Sequence, residues 1–135
     1  MKKKQIKLEV PSEDAQYFAI STTLSIHKLA WELNSNLHLK LSQVAPIDFK
    51  QACFPCLKDE EGLPQNNILI VKNKLEASIL VKELANVDFI LKIQGAVGTN
   101  EVKDFISRLK KIQSIAAIIG IDPKKIKGLG IFQHL

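Results

Sequence analysis

The sequence has few cysteines, no long apolar run and no pattern of an export signal. Its two cysteines, and a basic start at residues 2–4 that leads into the mixed residues 5–8, predict free thiols in a reducing cytoplasm. The longest apolar run, residues 115–119, is far shorter than the roughly 20 residues of a transmembrane helix, so we expect no membrane span. No Gly-, Ser- or Pro-rich linker divides the 135 residues, which predicts one domain over residues 1–135.

Arginine is nearly absent, because Arg108 is the only arginine among the 19 basic residues. Protein sites that grip phosphates or read guanine favour the forked guanidinium of arginine. A patch of Lys110, Lys111 and residues 124–127 is the feature that would support the alternative of a nucleic-acid-associated protein, but no aromatic residues interleave with these lysines. We therefore interpret the lysines behind the net charge of +5 as solvated surface residues and not as a nucleic-acid-binding site.

The first third of the chain has the pattern of strands around one helix. Alternating apolar and polar residues predict a strand at 4–10, and the turn residues that follow it make 17–21 its hairpin partner. Beyond the helix, Leu37, Leu39 and Leu41 alternate with polar residues, which predicts a strand that begins near residue 38. The helix is predicted over residues 22–37 because its apolar residues have helical spacing: Ile26, Leu29, Ala30, Leu33 and Leu37.

The middle of the chain has the pattern of strands alone. Residues 52–58 and 67–72 flank an acidic loop that contains Gly62 and Pro64, which predicts a second hairpin. Apolar and polar residues then alternate over 87–93, which predicts a long strand.

The C-terminal part begins with a second amphipathic helix, predicted over residues 99–112. Residues 114–121 are apolar in both phases of a strand, so we expect a central strand that is buried on both faces. From Asp122 onward, one proline and two glycines predict a turn or a single helical turn followed by loose chain, and the lysine-rich N-terminus is expected to be loose as well.

These elements predict an α+β fold. A helix with a single apolar stripe packs on a sheet rather than inside it, so we expect a twisted, mainly antiparallel sheet of six to seven strands with two amphipathic helices on one face. The other face then needs cover. A homodimer that packs face to face or edge to edge would provide it.

Several short stretches form a recognisable set: Ser21-Thr22-Thr23-Leu24, Leu29-Ala30-Trp31, Leu33-Asn34, Ile47-Asp48-Phe49 and Val87-Asp88-Phe89-Ile90-Leu91-Lys92-Ile93. Together they resemble the uncharacterised bacterial family named for an IPExxVD motif. The chain departs from the motif itself, because Val81-Lys82-Glu83 stands where Ile-Pro-Glu would be and three residues separate Glu83 from Val87-Asp88. The family carries no established activity, so the resemblance implies a compact bacterial domain and no mechanism. The similarity covers most of residues 5–120.

Cys53-Phe54-Pro55-Cys56 has the spacing of a dithiol redox motif. In such a site, the N-terminus of a following helix lowers the pKa of the first thiol. Here Gly62 and Pro64 interrupt any helix that would run on from Cys56. We therefore favour an ordinary strand segment and keep a thiol-dependent redox protein as the enzyme alternative. A zinc site would need two more ligands, which the sequence does not supply nearby.

Leu24, His27 and Trp31 lie away from the apolar stripe of the first predicted helix. Trp31 is the only tryptophan, and a tryptophan beside leucine and histidine has the composition of an interface anchor. Ordinary side packing is the competing interpretation.

Taken as a sequence, the chain predicts a non-enzymatic, self-associating interaction or binding domain without a cofactor, a metal or a catalytic residue. The redox protein that uses Cys53 and Cys56 and the nucleic-acid-associated protein remain the two alternatives. No residue names a small-molecule ligand.

Overall fold

The structure, a computed structural model, describes residues 15–59, 67–94 and 99–134. These residues form a six-stranded sheet in the order β2-β3-β4-β5-β1-β6, in which every neighbouring pair is antiparallel. The α+β class and the antiparallel sheet are therefore confirmed. The elements are β1 Gln16–Thr22, α1 Ile26–Leu37, β2 Ser42–Phe49, β3 Ala52–Asp59, β4 Asn67–Lys72, β5 Phe89–Gln94, α2 Thr99–Lys110 and β6 Ile115–Ile121, with short 3-10 helices at Lys82–Leu84 and Lys127–His134.

Both α-helices pack on the same face of the sheet, as predicted. The Ser25 hydroxyl caps α1 by accepting a hydrogen bond from the Lys28 N–H at 3.3 Å, and α1 ends at His38 in the left-handed conformation. No helix in the described ranges is long and apolar enough to cross a bilayer. The shared core beneath the helices includes Leu29, Leu33, Phe105 and Leu109 from the helices and Ile20, Ile70, Phe89 and Leu91 from the strands.

The second face of the sheet is covered by the chain itself. A second core joins this face to the segment 73–88 and to the C-terminal tail, residues 122–134. Two buried tail residues, Leu129 and Phe132, overturn the prediction of loose chain after residue 122. The sequence suggested loose chain because its glycines and proline exclude a long α-helix. They do not exclude a 3-10 helix whose apolar residues reach the sheet.

Asn73 organises the segment 73–88. Its side-chain amide donates hydrogen bonds to the carbonyl oxygens of Leu84 and Val87, at 2.8 and 3.0 Å, and its side-chain oxygen accepts one from the N–H of Val81 at 2.8 Å. Asn73 is fully buried. Its side chain therefore satisfies backbone groups that an irregular buried segment would otherwise leave without partners.

Residues 38–41 are not the strand that the alternating leucines predicted. The N–H groups of Lys40 and Leu41 donate to the side chains of Asp59 and Asn34, at 2.7 and 2.8 Å, instead of to a strand ladder. The strand starts later, at Ser42, and turns into β3 through two residues with positive φ, Lys50 and Gln51.

β6 is an edge strand, and the expectation of a central strand buried on both faces was wrong. Ile118 pairs with Ile20 and faces the helices, whereas its neighbour Ile119 is 63% exposed on the other face. The strand predicted at 4–10 lies outside the described residues. Among the strands that are described, the neighbours of β1 are β5 and β6.

Candidate functional site

A cavity of about 600 Å³ lies on the second face of the sheet beside strands β2 to β5, and we call it the β2 pocket. Its size is that of an ordinary small-molecule site. Its walls are mostly apolar and carry a few polar groups. The lining residues are Val44, Ala45, Pro46, Ile47 and Asp48 from β2, Cys56 and Lys58 from β3, Leu69 from β4, and Lys92 and Gln94 from β5.

An irregularity in β2 shapes the wall of the β2 pocket. Val44 pairs with Cys56 and Ile47 pairs with Phe54. Between these two pairs, β2 therefore has one residue more than β3. Such a bulge bends a strand, and it tolerates a proline because the ladder is already interrupted. Ala45 and Pro46 occupy the bulge and line the pocket.

Two lysines share one row of the sheet at the floor of the β2 pocket. Lys58 on β3 pairs with Leu69 on β4, and Leu69 pairs with Lys92 on β5. Strands repeat at about 4.8 Å, so the two lysine Cα atoms stand roughly 10 Å apart with their side chains on one face. This row brings two ammonium groups to a single cavity.

Lys92 is only 2% exposed, which is rare for a lysine. Its Nζ donates a hydrogen bond to the carbonyl oxygen of Phe132 in the tail at 2.7 Å. Burial and then the charge of Lys58 lower the pKa of Lys92. Both effects act against the positive charge of Lys92 itself.

Two carboxylates lie on the strands near the row. Asp48 accepts a hydrogen bond from Cys53 Sγ at 2.8 Å. Asp59, one residue beyond Lys58 on β3, points to the opposite face and accepts the hydrogen bond from Lys40 N–H. The charged residues among the described lining of the β2 pocket are two lysines and one aspartate.

Cys53 and Cys56 lie on strand β3, three residues apart, so their side chains leave opposite faces. Cys56 is buried in the wall of the β2 pocket, and burial raises the pKa of its thiol to about 11. Cys53 is exposed, and its hydrogen bond to Asp48 and the charge of that carboxylate raise its pKa. A reactive dithiol needs a lowered thiol pKa, and here both shifts have the opposite sign.

Leu24, His27 and Trp31 come together around a depression of about 400 Å³ at the start of α1, which Lys28 and Glu32 complete. Trp31 is 67% exposed. The five lysines of the expected basic patch are all exposed: Lys110, Lys111, Lys124, Lys125 and Lys127.

The sequence did not reveal the β2 pocket, because its polar residues lie in three separate strands. Lys92 carried the best available signal. It stands between Leu91 and Ile93 in an apolar strand, but its position in the polar phase is also that of a solvated residue. In the folded protein, Lys92 is buried and donates a hydrogen bond to the C-terminal tail.

No family model matches the chain, and no curated protein is similar to it at a meaningful level. In the part of the chain that the structure describes, no group of three His, Cys, Asp or Glu side chains is placed to hold a metal ion. Function therefore has to be argued from the geometry of the site.

Proposed function

We propose that this protein is a non-enzymatic binding domain that holds a small molecule in the β2 pocket. The observation that carries the proposal is the cavity of about 600 Å³, with apolar walls and a few polar groups placed by paired strands. Rigid strands position such groups well. Cys56 is the thiol in the wall, and its pKa of about 11 keeps it protonated at neutral pH, which argues against nucleophilic chemistry.

A ligand screen by NMR on wild-type protein and on Ala45→Trp tests this proposal. Ala45 lines the β2 pocket, so an indole at this position fills part of the cavity. Ala85→Trp is the control, because Ala85 is exposed and outside the pocket lining. We expect compounds that bind the wild type and Ala85→Trp to lose affinity for folded Ala45→Trp. Hits that bind all three proteins equally would place binding elsewhere.

We propose self-association as a second function. It is based on the outer edge of β6 and not on an uncovered face of the sheet. No described strand pairs with the outer edge of β6, and its seven residues, Ile115–Ile121, include no charged residue. Natural edge strands usually carry charges or prolines that block pairing with another chain. An antiparallel two-fold pairing of β6 would also bury Ile119. The Trp31 depression is the alternative contact.

We further propose that the chain is a cytoplasmic bacterial protein and a divergent member of the IPExxVD family. The stretch Val87-Asp88-Phe89 leads into β5, and Leu29-Ala30-Trp31 lies on α1, so both resembling stretches belong to structural elements of the sheet and its helix layer. A solved structure of an undisputed family member tests this proposal. The strand order β2-β3-β4-β5-β1-β6 is expected there, and another order would exclude membership.

The two alternatives have less support. Diverging thiols with raised pKa values argue against a dithiol redox protein. Exposed lysines alone are weak support for a nucleic-acid-associated protein. Lysine contacts with phosphates give non-specific binding, and this binding weakens as the salt concentration rises. Retention of the protein on DNA or RNA at physiological salt would revive that alternative.

A further inference from the structure

We propose that two copies of this protein pair antiparallel through β6, with Ile119 of each copy on the two-fold axis. This inference rests on the proposed self-association and names its register. In this register Ile118 lies opposite the partner's Gly120, and Ala117 lies opposite the partner's Ile121. The six described strands of each copy then join into one continuous sheet, with the α-helices of both copies on one face and both β2 pockets on the other.

The two edges of the sheet differ in how they would accept another strand. Of the described strands, β2 and β6 stand at the two edges. β2 carries a bulge with Pro46, followed by Asp48, whereas β6 contains neither a proline nor a charged residue. A bulge, a proline and a charge each hinder the addition of a strand. The sheet therefore favours β6 over β2 for the contact with a second copy.

A bulge in β6 sets the register. β6 and β1 pair residue for residue over 117–121, and the pairing then shifts at Ala116, which has no partner on β1. Such a bulge bends the strand and ends the regular part of its edge. At the other end, Pro123 follows β6 after one residue and has no N–H to donate. The regular edge is therefore 117–121. Its middle residue is Ile119, so only a two-fold pairing centred there matches this whole stretch with itself.

On the second face, this register covers the exposed side chain of Ile119. Ile119 is 63% exposed and points away from the helices, since its neighbour Ile118 belongs to the core beneath them. Across the axis, Ile119 meets the partner's Ile119. On either side of this pair, Ile121 of one copy meets the small Ala117 of the other. β-Branched side chains opposite each other stabilise antiparallel strands, and the large and small pairs leave room for both isoleucines on the axis.

On the face that carries the helices, Gly120 leaves room for the partner's Ile118. The ring of Phe18 lies beside Gly120, with its Cε2 atom 3.9 Å from the position that a Cβ would take. Gly120 itself is exposed, so a second chain can reach it. An aromatic ring beside an edge glycine supplies the apolar surface that the glycine lacks. The partner's Ile118, opposite Gly120, packs against this surface.

Cysteine cross-linking tests the register, in a background with Cys53→Ser and Cys56→Ser. Ile119→Cys places two thiols at the axis, where directly opposite Cα atoms are about 4.5–5.5 Å apart, as a disulfide requires. Under mild oxidation, we expect a covalent dimer at least about tenfold faster than with Ser35→Cys, because pairing raises the local concentration of the second thiol. Ser35 is exposed on α1, so Ser35→Cys reports random collisions.

A pair of mixed variants gives a second readout that keeps Ile119. In this register, a cysteine at residue 117 or at residue 121 stands about 14 Å from the same residue of the partner. Ala117→Cys or Ile121→Cys alone should therefore cross-link no faster than Ser35→Cys, whereas a mixture of the two should cross-link about tenfold faster. The mixture decides the register if Ile119→Cys no longer dimerises.

Light scattering on the same variants separates this inference from the proposed self-association. If the variants dimerise but Ile119→Cys or the mixture cross-links no faster than Ser35→Cys, the register is wrong and self-association stands. Fast cross-linking of Ala117→Cys or Ile121→Cys alone would also place the axis elsewhere. A wild type that stays strictly monomeric at high concentration would overturn both proposals.

Discussion

The ammonium nitrogen of Lys92 donates a hydrogen bond to the carbonyl oxygen of Phe132, 2.7 Å away and 40 residues later in the chain. The contact joins a strand in the middle of the sheet to the C-terminal tail. Because the ring of Phe132 is fully buried and tilts against Tyr17, with ring centroids 6.0 Å apart, the tail is a structural part of the second core.

Phe132→Ala should lower the free energy of unfolding by about 3–5 kcal/mol, because it leaves a cavity in the second core. Trp31→Ala is the matched control. Trp31 is 67% exposed, so its loss should cost less than about 0.5 kcal/mol in the monomer. Urea unfolding followed by circular dichroism measures both. Equal small effects would mean that the tail contributes little to the fold.

Lys92→Met should change how stability depends on pH. Burial and Lys58 lower the pKa of Lys92 in the folded protein below its ordinary value of 10.5. Between the two pKa values the unfolded chain binds more protons, so this lysine makes stability rise as pH increases. Without Lys92, that rise is absent.

The measurement is the difference in unfolding free energy between wild type and Lys92→Met, from neutral pH to about pH 10. The raised pKa values of Cys56 and Tyr17 act in the opposite direction, but both groups are present in both proteins and cancel in the difference. Lys103→Met is the control and should show no such trend. A difference that is constant across this pH range would contradict the prediction.

Gly128→Ala should destabilise the protein relative to Gly130→Ala. A Cβ at residue 128 would lie 2.8 Å from Cγ1 of the buried Val81 and 2.7 Å from Oε1 of Glu83, whereas a Cβ at residue 130 meets nothing within 4 Å. Glu83 can move, but Val81 is packed in the second core, so we expect a difference of about 1–3 kcal/mol. Thermal unfolding of the two variants side by side checks it, and equal stability would refute the close approach of the tail to residues 81–83.

Ile119→Lys should shift a dimer toward monomer, because it places a charge on the edge of β6 that no described strand pairs with. Light scattering at several protein concentrations measures the oligomeric state of the wild type, Ile119→Lys and Trp31→Ala, with Ser35→Lys on the exposed side of α1 as the control. A strict monomer at high concentration would exclude self-association. A dimer that only Trp31→Ala disrupts would move the contact to α1.

The double variant Cys53→Ser with Cys56→Ser should keep the fold. We expect no disulfide reductase activity in either the wild type or the double variant. Alkylation offers a quantitative check in the Cys53→Ser background. With a pKa of about 11, compared with 9.0 for an ordinary thiol, Cys56 has roughly one hundredth of the thiolate near neutral pH and should react at least that much more slowly. Turnover of a disulfide substrate that depends on Cys53 would reinstate the redox alternative.

Some of the fold follows from local pattern alone. The stripe of Ile26, Leu29 and Leu33 identified α1 because helical spacing places these residues on one side wherever the helix packs. The bounds of β3 and β4 were predicted almost to the residue, since turn-forming residues separate two short apolar runs. In contrast, residues 38–41 have the alternation of a strand but do not form one. The backbone N–H of Lys40 donates to the side chain of Asp59, which is distant in the sequence, instead of to a neighbouring strand.

The sequence by itself therefore determined the class of the fold and the packing of both helices on one face of the sheet. Periodicity within a single element specifies which of its sides must be buried. Only the tertiary structure decided that β6 lies at an edge, that the tail covers the second face, and that Lys58 and Lys92 meet at one cavity. Each of these depends on which strands become neighbours. That choice is made by contacts between residues far apart in the chain, and an alternating pattern is the same whether its polar side meets water or, as at Lys92, another part of the protein.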